Sequence, residues 1–213
     1  MKTDDLIALL ATGTAPVERH PVGRRYALAI GLGLAASGVL MLGTIGLLPD
    51  LAGAVRRPSF WVKVGFVATV AWGALVAAMR LSRPGPSLTW LPAALGAPVL
   101  VIWVLAAAAL AGAAPGARAG LVLGTSWWAC PWLIALLSLP VLVGVLWAMR
   151  GLAPTRLALA GTAAGLLAGA LGALVYCLHC PEQAAPFVGS WYLLGMLIPS
   201  LVGALSGPVL LRW

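Results

Sequence analysis

Two cysteine–proline steps, Cys130-Pro131 and Cys180-Pro181, stand fifty residues apart in a chain built mostly of Leu, Ala, Gly and Val. A thiol can act as a nucleophile, as a ligand for a soft metal ion or as half of a disulfide, depending on its protonation and on what faces it. The third cysteine makes Cys177-Leu178-His179-Cys180 read as C-x-x-C. In a thioredoxin-like domain that spacing marks a redox pair, but no soluble α/β unit surrounds it here, and Cys177 reads as a packing residue. His179 and Glu182 flank Cys180 and are the polar groups placed to support it. His179 can lower the thiol pKa or join Cys130 and Cys180 around a metal ion. Three cysteines are too few for a disulfide scaffold but enough for one bridge and a spare thiol. A bridge, a metal site and a pair of inert buried thiols all remain open at this point, and the choice depends on whether the chain brings the thiols together.

The elements that must do so are membrane spans. The 213 residues are 62% hydrophobic and 8% charged, with a mean hydropathy of +1.04; soluble domains carry about 25% charged residues. The apolar residues fall in blocks of roughly 20, the length of a helix crossing a hydrocarbon core of about 30 Å. Lipid offers no partners to backbone groups, so such blocks span as helices. The expected fold is therefore all-α, a polytopic membrane protein with a six-transmembrane-helix bundle. Spans are placed at about 26–48, 60–79, 88–113, 126–149, 157–178 and 187–211, after a short cytoplasmic N-terminal segment of residues 1–25. The first apolar block starts at Tyr26 and is long enough to stay as a span, so no cleaved leader is expected. In the segment, Thr3 caps a short helix of about 3–11, with Asp4 and Asp5 in its first turn and Leu6, Ile7, Leu9 and Leu10 giving one apolar side.

Six spans put both termini on one side. That side carries Lys2, Arg19, Arg24, Arg25, Arg80, Arg83, Arg150, Arg156 and Arg212, against Arg56, Arg57, Lys63 and Arg118 on the other. The excess places both termini in the cytoplasm. Cys130 and Cys180 then share the outer side, where disulfides persist. Lys63, one turn into the second span, is expected to snorkel to the outer interface. Trp61, Trp127, Trp128, Trp132 and Trp191 read as an aromatic belt there. Gly161, Gly165 and Gly169 make a smooth face on the fifth span for close helix packing. No acidic residue lies inside a span, which disfavours an ion-coupled transporter. A phosphate loop, HExxH, a Ser/His/Asp set and paired carboxylates are all missing from the sequence, which disfavours hydrolase and nucleotide chemistry.

Over essentially its whole length the chain resembles the NrsF family, negative regulators of sigma-F and six-span membrane anti-sigma factors of bacteria. The resemblance is carried by Met1-Lys2-Thr3-Asp4-Asp5-Leu6-Ile7, by Pro58-Ser59-Phe60-Trp61-Val62-Lys63 and by Ser126-Trp127-Trp128-Ala129-Cys130 running to Leu137-Ser138-Leu139-Pro140. Leu146-Trp147-Ala148-Met149-Arg150, Leu178-His179-Cys180-Pro181-Glu182, Phe187-Val188-Gly189-Ser190-Trp191-Tyr192 and Leu210-Leu211-Arg212-Trp213 complete it. It implies an anti-sigma factor of the bacterial inner membrane rather than an enzyme. Such a protein holds an extracytoplasmic-function sigma factor, and its N-terminal segment takes part in that binding; within the segment of this chain, Asp4, Asp5, Leu6 and Leu9 are our own candidates for the contacts. Cys130 and Cys180 match the family's sensor cysteines for heavy-metal or related stress, and Cys177 lies outside that pattern. No cofactor is expected beyond a transient heavy-metal ion, and no partner beyond the sigma factor and membrane lipid, with no direct nucleic acid. The competing classes are a membrane thiol oxidoreductase, which would want two redox pairs and has three thiols, and a small transporter.

Overall fold

The computed structural model describes residues 3–5, 8, 21–83, 85, 89–152 and 154–212. Among them the chain is helical, with no strand, and six helices are long and apolar enough to cross a membrane. These are α1 (Pro21–Thr44), α3 (Pro58–Leu81), α4 (Leu91–Gly112), α6 (Cys130–Arg150), α7 (Leu157–Tyr176) and α8 (Ala185–Leu210). Two short helices, α2 (Leu51–Val55) and α5 (Pro115–Leu123), lie in connections at the end of the bundle where α1 and α4 finish.

Proline sets most of the starting points. Pro58, Pro92, Pro115, Pro131 and Pro186 each sit in the first turn of a helix. There the ring's fixed φ is already helical and the missing N–H would have had no partner anyway. This shifts several boundaries from those expected. The third span starts at Leu91 rather than 88, and the fourth at Cys130 rather than 126, so Cys130 opens its helix instead of lying one turn inside it. The first span begins at Pro21 rather than 26 and ends at Thr44, beyond which Gly46 turns the chain with φ of 71°. Residues 115–123, expected as part of a loop, form α5, which is exposed or half-buried throughout. Of the N-terminal helix expected at 3–11, Thr3, Asp4, Asp5 and Ala8 are helical and exposed. Leu6 and Leu9 lie outside the described residues.

The middle of the bundle is α7, packed against α3, α6 and α8. Its glycines set the distance to α8. A Cβ at Gly161 would fall on the Gly203 carbonyl, and one at Gly165 on the Pro199 carbonyl. The two backbones therefore touch, and the Ser200 hydroxyl donates across to the Thr162 carbonyl at 3.1 Å. On the other side a Cβ at Gly172 would meet the Ser138 backbone of α6 at 2.8 Å. α1 packs on α6 and is pinned by the buried Ser37, whose hydroxyl donates to the Leu137 carbonyl at 2.7 Å. α4 is the peripheral span, with only Ile102 and Ala106 buried among its described residues. Large apolar side chains such as Trp72, Val143, Leu205 and Val209 point outward, as a lipid-facing surface requires.

Because the α7–α8 contact is backbone on backbone, Gly165→Leu cannot be accommodated by rotamer changes. The substitution is expected to cost about 3 kcal/mol or more. Gly43→Leu on α1, with open space around the residue, is expected to stay within about 0.5 kcal/mol. Unfolding midpoints in mixed detergent micelles check the pair.

Candidate functional site

The thiols meet at one end of the bundle, where α6 begins and α7 finishes. Cys130 is the first residue of α6, its N–H donating to the Ser126 carbonyl at 3.0 Å. At the other partner the last turn of α7 unwinds gradually. Cys177 N–H donates to the Ala173 carbonyl at 2.9 Å, and the His179 and Cys180 N–H groups both donate to the Tyr176 carbonyl at 3.0 Å. Pro181 lacks an N–H and stops the helix from continuing. The result is a tight turn, residues 178–183, carried on the central helix.

All three cysteines are free thiols and all are buried, at 0%, 1% and 1% exposure for Cys130, Cys177 and Cys180. The Cys130 and Cys180 sulfurs lie within hydrogen-bonding reach of each other, with the Tyr176 hydroxyl beside both. Tyr192 is fully buried and turns its hydroxyl toward Cys177 and Cys180 without completing a hydrogen bond. It is placed there by a π-helical turn, Val188–Tyr192, which widens α8 at this level. Within the pair the Cys180 thiol is the one pulled below its usual value, first by the adjacent Cys130 thiol and then by the Lys63 ammonium, the Tyr192 hydroxyl and the Glu182 N–H, against the opposing effect of burial. Burial pushes Cys177 the other way, up to about 12. The two members of the C-x-x-C thus differ in character, and Cys180 is the one paired with Cys130.

Lys63 departs from its expected place. It does not snorkel to the interface but is 1% exposed and turned into the bundle. Its ammonium donates to the Cys180 carbonyl at 3.0 Å and to the Glu182 carbonyl at 3.0 Å. The Phe60 and Tyr192 rings lie beneath it, with centroids at 5.6 and 5.7 Å. An ammonium left in hydrocarbon would be far costlier than one held by carbonyls and aromatic faces.

The turn is bonded to three further segments. His179 Nδ1 donates to the Gly46 carbonyl at 3.0 Å, and the Leu48 N–H donates to the Leu178 carbonyl at 3.0 Å, tying the turn to the end of α1. Glu182 Oε1 accepts from the Thr125 N–H and the Thr125 hydroxyl, both at 2.8 Å, just before α6. The Ser59 hydroxyl donates to Gln183 Oε1 at 2.6 Å, at the start of α3. Of the residues expected around a metal, Cys130 and Cys180 come together, whereas the His179 ring is engaged with Gly46. Among the described residues no group of three or more His, Cys, Asp or Glu side chains gathers as a metal site. Tyr176, Tyr192, Gln183 and the inward Lys63 were not anticipated as part of the site. Tyr176 had a signal, since it lies only four residues before Cys180 at the same end of the fifth span. Trp127 and Trp191 pair with ring centroids 5.3 Å apart, and Trp191 Nε1 donates to the Val122 carbonyl at 2.8 Å. Trp61, Trp127, Trp128 and Trp132 are exposed at this level, as an aromatic belt requires.

Comparison with known proteins sets this geometry in a family. Residues 10–213 match the family described as NrsF, negative regulator of sigma F. The chain is 57% identical over 213 residues to the probable anti-sigma-F factor NrsF of Azospira oryzae, covering all of both chains. It is 42% identical over 217 residues to the anti-sigma-F factor NrsF of Caulobacter vibrioides, again covering all of both. No solved structure matches. A six-span bundle that matches this family from residue 10 to its last residue, with full-length relatives at these identities, belongs to the NrsF family of negative regulators of sigma F.

Proposed function

We propose that this chain is an inner-membrane anti-sigma factor that holds an extracytoplasmic-function sigma factor through its cytoplasmic N-terminal segment. Release follows a heavy-metal or redox stress that acts on Cys130 and Cys180. Both termini face the cytoplasm, since the excess of Lys and Arg lies on their side, so the thiols face the oxidising compartment. Asp4 and Asp5, helical and exposed, are offered to the sigma factor, together with Leu6 and Leu9.

The observation that carries the reading is the apposition of Cys130 and Cys180 in a turn that also holds the end of α1. Closing two thiols already in hydrogen-bonding reach to a sulfur–sulfur bond of about 2 Å is a small movement. In that step both S–H bonds break and the S–S bond forms. Two electrons and two protons pass to a hydroperoxide, which leaves as an alcohol and water. The bond shortens the gap between the start of α6 and the turn after α7. His179 and Leu178 sit in that turn and grip Gly46 and Leu48, so the strain reaches α1, whose other end leads into the N-terminal segment. A difference of about 1–3 kcal/mol between two packings of α1 is enough to shift sigma affinity 5- to 150-fold. A metal cation would have to settle beside the fixed charge of Lys63, which favours the oxidant arm of the signal.

Two measurements check this. A Cys130→Ser/Cys180→Ser chain is expected to keep its sigma factor under oxidant or heavy-metal stress that empties the unmodified protein. Equal release from both chains removes the thiols from the mechanism. Deleting residues 2–20, which precede α1, is expected to abolish co-purification of the sigma factor from membranes. Undiminished retention would move the binding site to the loops.

A further inference from the structure

Lys63 carries more charge than its visible bonds require. Its ammonium has three donors, and the two carbonyls it holds, of Cys180 and Glu182, bracket Pro181. A neutral amide could bind two carbonyls as well, without the cost of placing a full charge inside a membrane-spanning helix. The carboxylate on the turn makes no ion pair with Lys63 among the described residues, since Glu182 Oε1 accepts from Thr125 instead. The sulfurs are groups near Lys63 that can carry negative charge: its field acts on Cys130, Cys177 and Cys180 alike, and Cys180 is the one whose own carbonyl the ammonium holds. The Tyr192 ring lies against the ammonium while its hydroxyl, buried and unpaired, points at the same sulfurs. This cluster has the composition of a site that tolerates an anion beside Cys180.

We propose that Lys63 is the positioning residue of the thiol pair and the source of its positive potential. It fixes the Cys180–Glu182 turn through two carbonyls, so that a thiol-directed reagent meets Cys180 first and an anionic reagent is favoured over a neutral one of the same size. The proposal deepens the thiol-sensor reading and rests on it for its biological meaning.

The test uses the full chain in lipid nanodiscs and two alkylating probes that differ in charge, iodoacetate and iodoacetamide. In a Cys130→Ser/Cys177→Ser background the rates at Cys180 are read by mass spectrometry. Lys63→Gln is expected to lower the iodoacetate-to-iodoacetamide rate ratio about tenfold, and Lys63→Arg to hold it within about twofold. An unchanged ratio in Lys63→Gln, even with both rates altered, overturns the proposal, since it makes Lys63 a structural strap alone. A second measurement does not depend on any Lys63 variant folding. In the unmodified chain, limiting iodoacetamide is expected to label Cys180 ahead of Cys130 and Cys177 by about tenfold or more; labelling that begins at either of the others overturns it equally. Neither readout involves a sigma factor. Failure here therefore leaves the anti-sigma reading standing, and failure of sigma release leaves the alkylation result standing.

Discussion

An ammonium buried in a membrane bundle must find its own solvation shell, and the shell Lys63 finds is the turn that carries Cys180. The carbonyls of Cys180 and Glu182 and the rings of Phe60 and Tyr192 replace the water the charge has given up. That requirement fastens the start of α3 to the end of α7. Around the same turn, Gly46 and Leu48 at the end of α1, Ser59 at the start of α3 and Thr125 before α6 are joined to residues 178–183. Four of the six spans thus meet at a handful of residues, and Cys130 and Cys180 sit inside that knot.

The glycine seam beneath it makes the opposite contribution. Where α7 and α8 touch backbone to backbone at Gly161, Gly165 and Gly203, neither helix has room to tilt without opening a gap that lipid tails cannot fill well. The pair acts as a stiff post. The turn at the top of that post is attached to the end of α1 by hydrogen bonds, from His179 to Gly46 and from Leu48 to Leu178, while the rest of α1 packs on α6. Site and output are linked in this account by a short path: thiol pair, turn, α1, N-terminal segment.

Much of this was legible in the sequence because lipid imposes simple rules. Six apolar blocks had to be six helices, and because consecutive spans run in opposite directions the start of span 4 and the end of span 5, which carry Cys130 and Cys180, had to lie at one face. The glycine spacing of four on α7 announced the close contact correctly. The family, too, was readable from short segments such as His179-Cys180-Pro181-Glu182. What stayed hidden was direction. A lysine one turn into a span reads the same whether it bends out to the interface or in to a carbonyl pair, and only the position of the 178–183 turn decides. Tyr192 reaches the thiols through a π-turn that no periodicity reveals. His179 looked like a partner for the sulfurs, but Gly46, more than a hundred residues away in sequence, takes its ring nitrogen. The boundaries moved where proline in a first turn overrode the hydropathy pattern, most consequentially at Cys130, which opens its helix.

The central claim is that the state of the Cys130–Cys180 pair governs sigma retention. It is tested most directly by an oxidant titration of intact cells, followed by trapping of thiols and capture of the membrane protein. Mass spectrometry then gives the fraction of chains with Cys130 bonded to Cys180, and the captured sigma factor is quantified in the same samples. The account predicts that the bridged fraction rises as bound sigma falls, with a common midpoint. Sigma leaving while Cys130 and Cys180 both remain free thiols would contradict it.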